Sequence, residues 1–262
     1  MKNVESLEEI LDHLQDRVFK ATYAGNDCYV KLSTGLQRNQ FHRLQSIIYD
    51  ITRIPLFAPT LIPKGENVII HETEKLFELQ QLGIHVPKVY SYSEHYLIIE
   101  DCGPDLPKLI RSEPEQTQYY LEMAIRELAK LHRKGQCHGG AQIRNFTLKD
   151  GQIYLIDFEE DIKPEFFEGI FLRDIILFLT SIIGCGIFNF SLSGLIIAYE
   201  QESRIQIRER LLHLAKWGRC LEVFTKKPFS RWCGKDLIAI NYIFEQIRLL
   251  YISPSTWTLH LN

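Results

Sequence analysis

Residues 128–160, LAKLHRKGQCHGGAQIRNFTLKDGQIYLIDFEE, decide how this chain is read. They run from the end of a helix, through a loop opening on His138, into a tight hairpin that closes on Asp157. The turn is Asp150-Gly151, flanked by FTLK and QIYLI, the strongest short signal for a two-residue hairpin loop. Such a loop fixes the register. Residue 149 faces 152 and, counting back, 145 faces 156. Asn145 and Asp157 are therefore predicted side by side at the open end of one hairpin. An amide oxygen and a carboxylate so placed suit Mg²⁺, a hard cation that takes its remaining ligands from water or phosphate oxygens.

Working outward, the spacing predicts a leading amphipathic helix over 1–17, with Ile10, Leu11 and Leu14 on one face. Residues 18–33 read as a hairpin turning at Asn26-Asp27, and 38–51 as an amphipathic helix ending before Pro55. A proline-punctuated segment, Pro55 to Pro63, leads into a helix from near Gly65 to Gly83. Residues 86–101 supply two strands with a turn at Ser93-Glu94, and CGPDLP (102–107) reads as a linker. The helix over 116–134 places Leu121, Ile125, Leu128 and Leu131 on one face and stops at Gly135. The run 175–199 has no charge, yet Gly184, Gly186, Asn189, Ser191, Ser193 and Gly194 split it. Two buried helices with a loop between them are favoured over a membrane span. The remainder is helical, with LLHLAKW (211–217) and LIAINYIFEQIRLLY (237–251) as core-facing stripes.

These elements resemble the protein-kinase fold. His138 and Asn145 are spaced as in the catalytic loop HxDxxxxN, and Asp157-Phe158-Glu159 stands where protein kinases have Asp-Phe-Gly. Lys31 lies in the strand CYVKL. HETEKLFELQQLGIHVPKVY (71–90) is similar to helix C and the strand after it, LIIEDCG (97–103) to the hinge, and RDIILFL (173–179) to the buried helix whose Asp props the catalytic loop. The closest resemblance is to small atypical bacterial kinases, the lipopolysaccharide-core sugar kinases and the KEOPS-complex kinase family, over residues 18 to 180. It implies an α+β, two-lobed, protein-kinase-like fold: an N-lobe over 1–101 with a small antiparallel sheet and helix C, and a larger, mainly helical C-lobe over 102–262.

The resemblance also assigns roles. Lys31 would hold ATP phosphates and Glu72 would orient it, being one helical turn before Leu76 and facing inward with Leu79; Glu74 competes for that place. Glu100 joins them as a cofactor-binding residue at the hinge, and Asn145 and Asp157 carry Mg²⁺. Asp174, just before an apolar helix, would accept loop amides from around His138. The candidate catalytic residues are His138, Arg144 and Glu159. His138 reads more as packing the loop onto a buried Phe158 than as chemistry, and Arg144 offers a planar fork for a γ-phosphate or else a plain surface charge.

Two departures qualify this. The catalytic Asp should stand two residues after His138, where the chain has Gly140, which can neither accept a proton nor orient a hydroxyl. A general base contributes about 10²–10⁴ in rate, so its loss is serious without deciding inactivity. The acidic run Glu159, Glu160 and Asp161 could supply a substitute or a second metal ligand, with Glu159 the best placed because it follows Phe158. The second departure is the lack of a GxGxxG loop near the N-terminus. Amides over the phosphates would have to come from the Tyr23–Asp27 turn, where Gly25 and Asn26 tolerate positive φ.

Bulk properties narrow the function classes. At 262 residues the chain can bury about 70–75% of its unfolded surface. A formal charge of −3 with mixed signs gives no basic field, so nucleic acid is not indicated. Six cysteines without CxxC spacing read as free thiols of a reducing cytoplasm, and MKNVESLEEI does not read as a signal peptide. Peripheral contact with the inner membrane stays open. The reading is a Mg-ATP-dependent phosphotransferase whose acceptor is a sugar, lipid headgroup or other small molecule. Only 17 positions separate Asp157 from Asp174, too few for a peptide-docking platform. Asp-Phe-Glu is also what kinases of the choline type tend to carry. The alternative is a pseudokinase that binds nucleotide or a partner without catalysis, and a weaker one is a kinase-shaped fold that binds no nucleotide.

Overall fold

Strand alternation places Lys31, and helix period places Glu72 and Asp174. The computed structural model describes residues 17–33, 67–158, 160, 162–219 and 235–252. The helices expected over 1–17 and 38–51, and the proline segment after them, lie outside the described residues, apart from Arg17. β1 (Val18–Tyr23) and β2 (Asn26–Leu32) form a hairpin; α1 (Val68–Gln81), β3 (Val89–Tyr92) and β4 (Tyr96–Glu100) follow. The four strands make an antiparallel sheet in the order β1-β2-β4-β3. On one of its faces Ala21, Cys28, Val30, Leu32 and Ile98 pack together. On the other, Leu97 and Ile99 join Ile69, Leu76 and Leu79 of α1 in the main core. Lys31 is register partner to Leu97 and shares this helix-facing side, because neighbouring residues of a strand point opposite ways.

α1 forms because Ile69, Glu72, Thr73, Leu76 and Leu79 recur on one buried stripe. Asn67 caps it, its Oδ1 accepting from the Ile69 amide at 2.9 Å. Residue 72 is thus carried inward among apolar neighbours, while Glu74 is exposed.

After the sheet the chain is mainly helical, as the α+β expectation requires. α2 spans Leu106–Ser112, α3 Thr117–Arg133, α4 Phe167–Gly184, α5 Leu192–Ser203, α6 Arg208–Trp217 and α7 Lys235–Ile252. A two-stranded sheet, β5 (Phe146–Lys149) with β6 (Gln152–Leu155), lies between α3 and α4. Its register pairs Lys149 with Gln152 and Phe146 with Leu155, and the Ile156 amide donates to the Asn145 carbonyl at 3.0 Å, as counted from the Asp150-Gly151 turn. The uncharged run breaks after Gly184 and resumes as helix at Leu192. Among the described residues no helix is long and apolar enough to cross a membrane.

Three expectations are corrected. The first hairpin turns at Ala24-Gly25, with φ +49° and +79°, not at Asn26-Asp27. That register sets Ala21 opposite Cys28, two small residues of one packed face, and this outweighs the roughly 1–2 kcal/mol of a left-handed alanine. Residues 102–107 are more than a linker: the Asp105 carboxylate accepts from the Lys108 amide at 2.8 Å and starts α2, with Pro107 in its first turn. Asp174 lies inside α4, four residues after buried Ile170, not ahead of the helix.

The crossing from sheet to helices is unusually tight at Gly103. Its φ is +84°, and a Cβ there would meet the Leu148 carbonyl oxygen at 2.2 Å. The Leu148 amide donates to the Pro104 carbonyl at 3.1 Å, and Asp105 bridges Thr147, so β5 is stitched to residues 103–105. Gly25 also has positive φ, but nothing lies within 4 Å of its added Cβ. Gly103→Ala should therefore cost upwards of about 3 kcal/mol, and Gly25→Ala only about 1–2, in urea denaturation. Equal losses would show that the backbone at 103 accommodates a side chain.

Candidate functional site

Three separate parts of the chain meet at the Lys31 ammonium. Its Nζ donates to Glu72 Oε1 at 2.6 Å and to Asp157 Oδ1 at 2.9 Å. Glu72 comes from α1 and is 1% exposed; Asp157 follows β6 with its side chain 44% exposed. Burial works to discharge Lys31, but the two carboxylates outweigh it and hold the ammonium above its ordinary value of 10.5. Burial would likewise raise Asp157, and Lys31 outweighs it, so that this carboxyl titrates below 3.8. Asp157 takes φ +73°, a left-handed conformation that Asp visits more readily than most residues.

The loop before the hairpin is fixed from below. Asp174 is 0% exposed, and its Oδ2 accepts from the backbone amides of His138 at 2.8 Å and Gly139 at 3.2 Å. It also pairs with His132 Nε2 at 3.3 Å, while His132 Nδ1 meets the Tyr199 hydroxyl at 2.7 Å. The ionised carboxylate only accepts, so Nε2 carries the His132 proton and the hydroxyl donates to Nδ1. Burial lowers the His132 pKa below 6.5, against the pull of Asp174. For Asp174, burial pushes upward but the His132 contact prevails, and its pKa falls below 3.8.

Asn145 ends the short turn Ile143–Asn145 and is buried, its Nδ2 donating to the Gly140 carbonyl at 2.9 Å. The donor end of the amide is thus used within the loop, which leaves its oxygen for a cation. Among the described residues no group of three or more His, Cys, Asp or Glu could hold a metal. A donor set of one amide and one accessible carboxylate fits Mg²⁺ completed by phosphate and water, and does not fit Zn²⁺.

The other sequence-predicted residues fall differently. His138 is 1% exposed, its ring stacked on buried Phe158 at 4.6 Å and lying 6.2 Å from Phe146, which suits packing better than proton transfer. Glu100 does not join Lys31: its carboxylate accepts from Lys149 Nζ at 2.5 Å and the Lys88 amide at 3.3 Å, tying the sheet to the β5–β6 hairpin. Arg144 is exposed, and its charge is felt at Cys185, where it opposes the upward push of burial; no described contact links it to Lys31 or Asp157. Glu159 lies outside the described residues. Its neighbour Glu160 is held by Arg173 at 2.7 Å, and its backbone carbonyl is 3.4 Å from His71 Nε2. The Tyr23–Asp27 turn cannot cover phosphates at Lys31. Asp27 accepts from the Asp101 amide at 3.2 Å, and six residues of strand, about 20 Å, separate Gly25 from Lys31. A small cleft does open at that end, lined by Asn26, Asp27, Tyr90, Asp101, Gly103 and Lys149.

This geometry meets an independent finding: residues 17–179 match the model of the RIO domain. The chain belongs to the RIO-domain family. It is 28% identical over 93 residues to the KEOPS complex subunit Bud32 of Pyrococcus abyssi, covering 34% of this chain and 42% of that one. Over 125 residues it is 24% identical to a probable bifunctional tRNA threonylcarbamoyladenosine biosynthesis protein of Methanocorpusculum labreanum, covering 44% of this chain and 23% of the relative. A Haemophilus influenzae protein is 28% identical over 125 residues, covering 47% and 52%. The matches span about half the length of these relatives or less. The RIO-domain match and the KEOPS relative are atypical protein-kinase-like, and the small sheet followed by helices is a kinase-like α+β fold.

Sequence reasoning missed His132, Tyr199, Arg173 and the Lys149–Glu100 tie. His132 had a signal, since it falls on the inward stripe of α3 with Leu128 and Leu131. Two tests follow. Lys31→Met takes the ammonium from a buried carboxylate and should cost about 3–5 kcal/mol, of which adding Glu72→Leu recovers at least half; a double variant as weak as the single would deny their coupling. For pH, burial holds the folded His132 pKa below the unfolded value of about 6.5, so folding is favoured above that value and loses stability as pH falls toward the depressed folded pKa. Asp174 adds a further loss below about 3.8, as pH drops through its depressed folded pKa. His132→Gln should flatten the change in unfolding free energy between pH 7 and 5, and a slope equal to that of the wild type would count against the assignment.

Proposed function

We propose that the chain is a Mg-ATP-dependent phosphotransferase of atypical type, acting on a sugar, lipid headgroup or other small molecule. The observation that carries this is Lys31 between Glu72 and Asp157, with Asp157 open to solvent on its far side. Lys31 would neutralise nucleotide phosphates and Glu72 would keep its ammonium aimed at them. Asn145 and Asp157 would hold Mg²⁺, which when bound neutralises charge on the phosphates. The acceptor is argued from residues 162–166, which lead directly into α4 and leave little chain to dock a peptide. The name of one relative, a complex subunit, admits a protein partner as well. A cytoplasmic setting is supported by the free thiols of Cys28, Cys102, Cys137 and Cys185.

One observation favours a second reading. Gly140 has no side chain to orient a hydroxyl, so the site could bind nucleotide without transferring phosphate. Both readings require Mg-dependent binding. At a ligand concentration 100-fold above Kd, ATP with Mg²⁺ should stabilise the fold by about 2.7 kcal/mol, raising Tm by roughly 5–10 °C, and ATP with EDTA should not. Asp157→Ala should fold and lose the Mg-dependent part. An unchanged Tm at millimolar Mg-ATP would overturn both.

A further inference from the structure

We propose that Glu160 is the residue that takes the acceptor's proton, doing from beyond the hairpin what a loop Asp at position 140 would otherwise do. The assignment rests on the phosphotransfer reading and names its missing base. Its ground is the space around the two loop glycines. Gly140 has ordinary backbone, and a Cβ built on it would stand 3.9 Å from Glu160 Oε1 and 4.0 Å from Asn145 Nδ2. A carboxylate oxygen and the Asn145 amide therefore both lie within van der Waals reach of the point from which a side chain at residue 140 would start. The approach depends on Gly139, whose φ is +86° and whose added Cβ would meet Glu160 Oε2 at 2.7 Å, Cβ at 2.9 Å and Cδ at 3.0 Å. The glycine pair makes a notch, and the Glu160 side chain fills it.

Glu160 is held from two sides, and the glycine it packs against from a third. Arg173 donates to Glu160 Oε2 at 2.7 Å and to the Gly139 carbonyl at 3.1 Å, so one guanidinium fixes the carboxylate against the loop. His71 of α1 approaches the Glu160 carbonyl at 3.4 Å. Asp174, next to Arg173 in α4, holds the Gly139 amide from below. The Glu160 side chain is 27% exposed, so an acceptor can reach it. In the step, the acceptor O–H gives its proton to the Glu160 carboxylate as its oxygen bonds to the γ-phosphorus. The bond from that phosphorus to the β-bridging oxygen breaks, and its electron pair leaves on ADP. Glu160 then returns the proton to water.

The test uses Mg-ATP with water as the acceptor, reading phosphate release beside the Mg-ATP shift in Tm. Glu160→Gln should lower turnover at saturating Mg-ATP by about 10² or more while leaving the Tm shift unchanged. Gly140→Asp added to Glu160→Gln should restore at least about tenfold, because the new side chain enters the same space; Gly140→Asp alone should give no gain, since it sets two carboxylates against each other. Should Glu160→Gln fold poorly, Glu160→Asp keeps the charge beside Arg173 but withdraws it by one methylene, and should lose at least about tenfold. Wild-type turnover in either Glu160 variant overturns the assignment, as does a loss that Gly140→Asp fails to rescue. A wild-type protein that binds Mg-ATP without turning it over also overturns it. If the wild type shows no Mg-ATP shift, the phosphotransfer reading itself fails.

Discussion

A single ammonium ties this molecule together. Lys31 is drawn to a carboxylate 41 residues further on and to another 126 residues further on, and neither can be reached unless sheet, α1 and hairpin are all in place. The contact is costly in isolation, because desolvating charge in a protein interior costs several kcal/mol per ion. It is tolerated because the positive group sits between two negative ones. Strand alternation, the α1 stripe and the Asp157 backbone can be read as requirements for bringing both carboxylates within 3 Å of the ammonium.

A second buried charge does comparable work for the loop. Asp174 collects two backbone amides and an imidazole on one oxygen, so the segment from His138 to Gly139 is held by hydrogen bonds from a helix interior. The rings of His138 and Phe158 then stack, which joins the loop to the chain just after Asp157. Loop, hairpin end and α4 thus form one packed unit, and Arg173 extends it to Glu160. Charge and aromatic packing serve the same end here, since each fixes a backbone that has no regular secondary structure of its own.

How far this was legible in the sequence follows from how local each determinant is. The Asn145–Asp157 juxtaposition was legible because a two-residue turn converts sequence spacing directly into register. Glu72 was legible from helix period, and Asp174 as a loop acceptor from the likeness of RDIILFL to the buried helix of the kinase fold, although its own helix begins seven residues earlier. The Ala24-Gly25 turn was not, because propensity pointed to Asn26-Asp27 while pairing of β2 with β4 and burial of Ala21 set the register. Glu100 looked like a hinge residue, yet its partner, Lys149, lies 49 residues away on another sheet. Glu160 could not be separated from its acidic neighbours, since the chain beyond β6 has no period to say which side chain turns toward Gly139.

The contact between Gly103 and the Leu148 carbonyl has a consequence for motion. β5 is bound to residues 103–105 by main-chain contacts, while the Leu155 amide of β6 donates to the His85 carbonyl at 2.9 Å and Lys149 pairs with Glu100, so the hairpin is anchored on both sides of the crossing and resists a swing of either part. Lys31 and Glu72 both precede the crossing and would remain together. The ion pair between Lys31 and Asp157 spans it, as do the Lys149–Glu100 pair and the approach of His71 to the Glu160 carbonyl. The 2.6 Å and 2.9 Å arms of one ammonium thus differ in kind: the first closes within the part of the chain before Gly103, and the second fastens that part to the one after it.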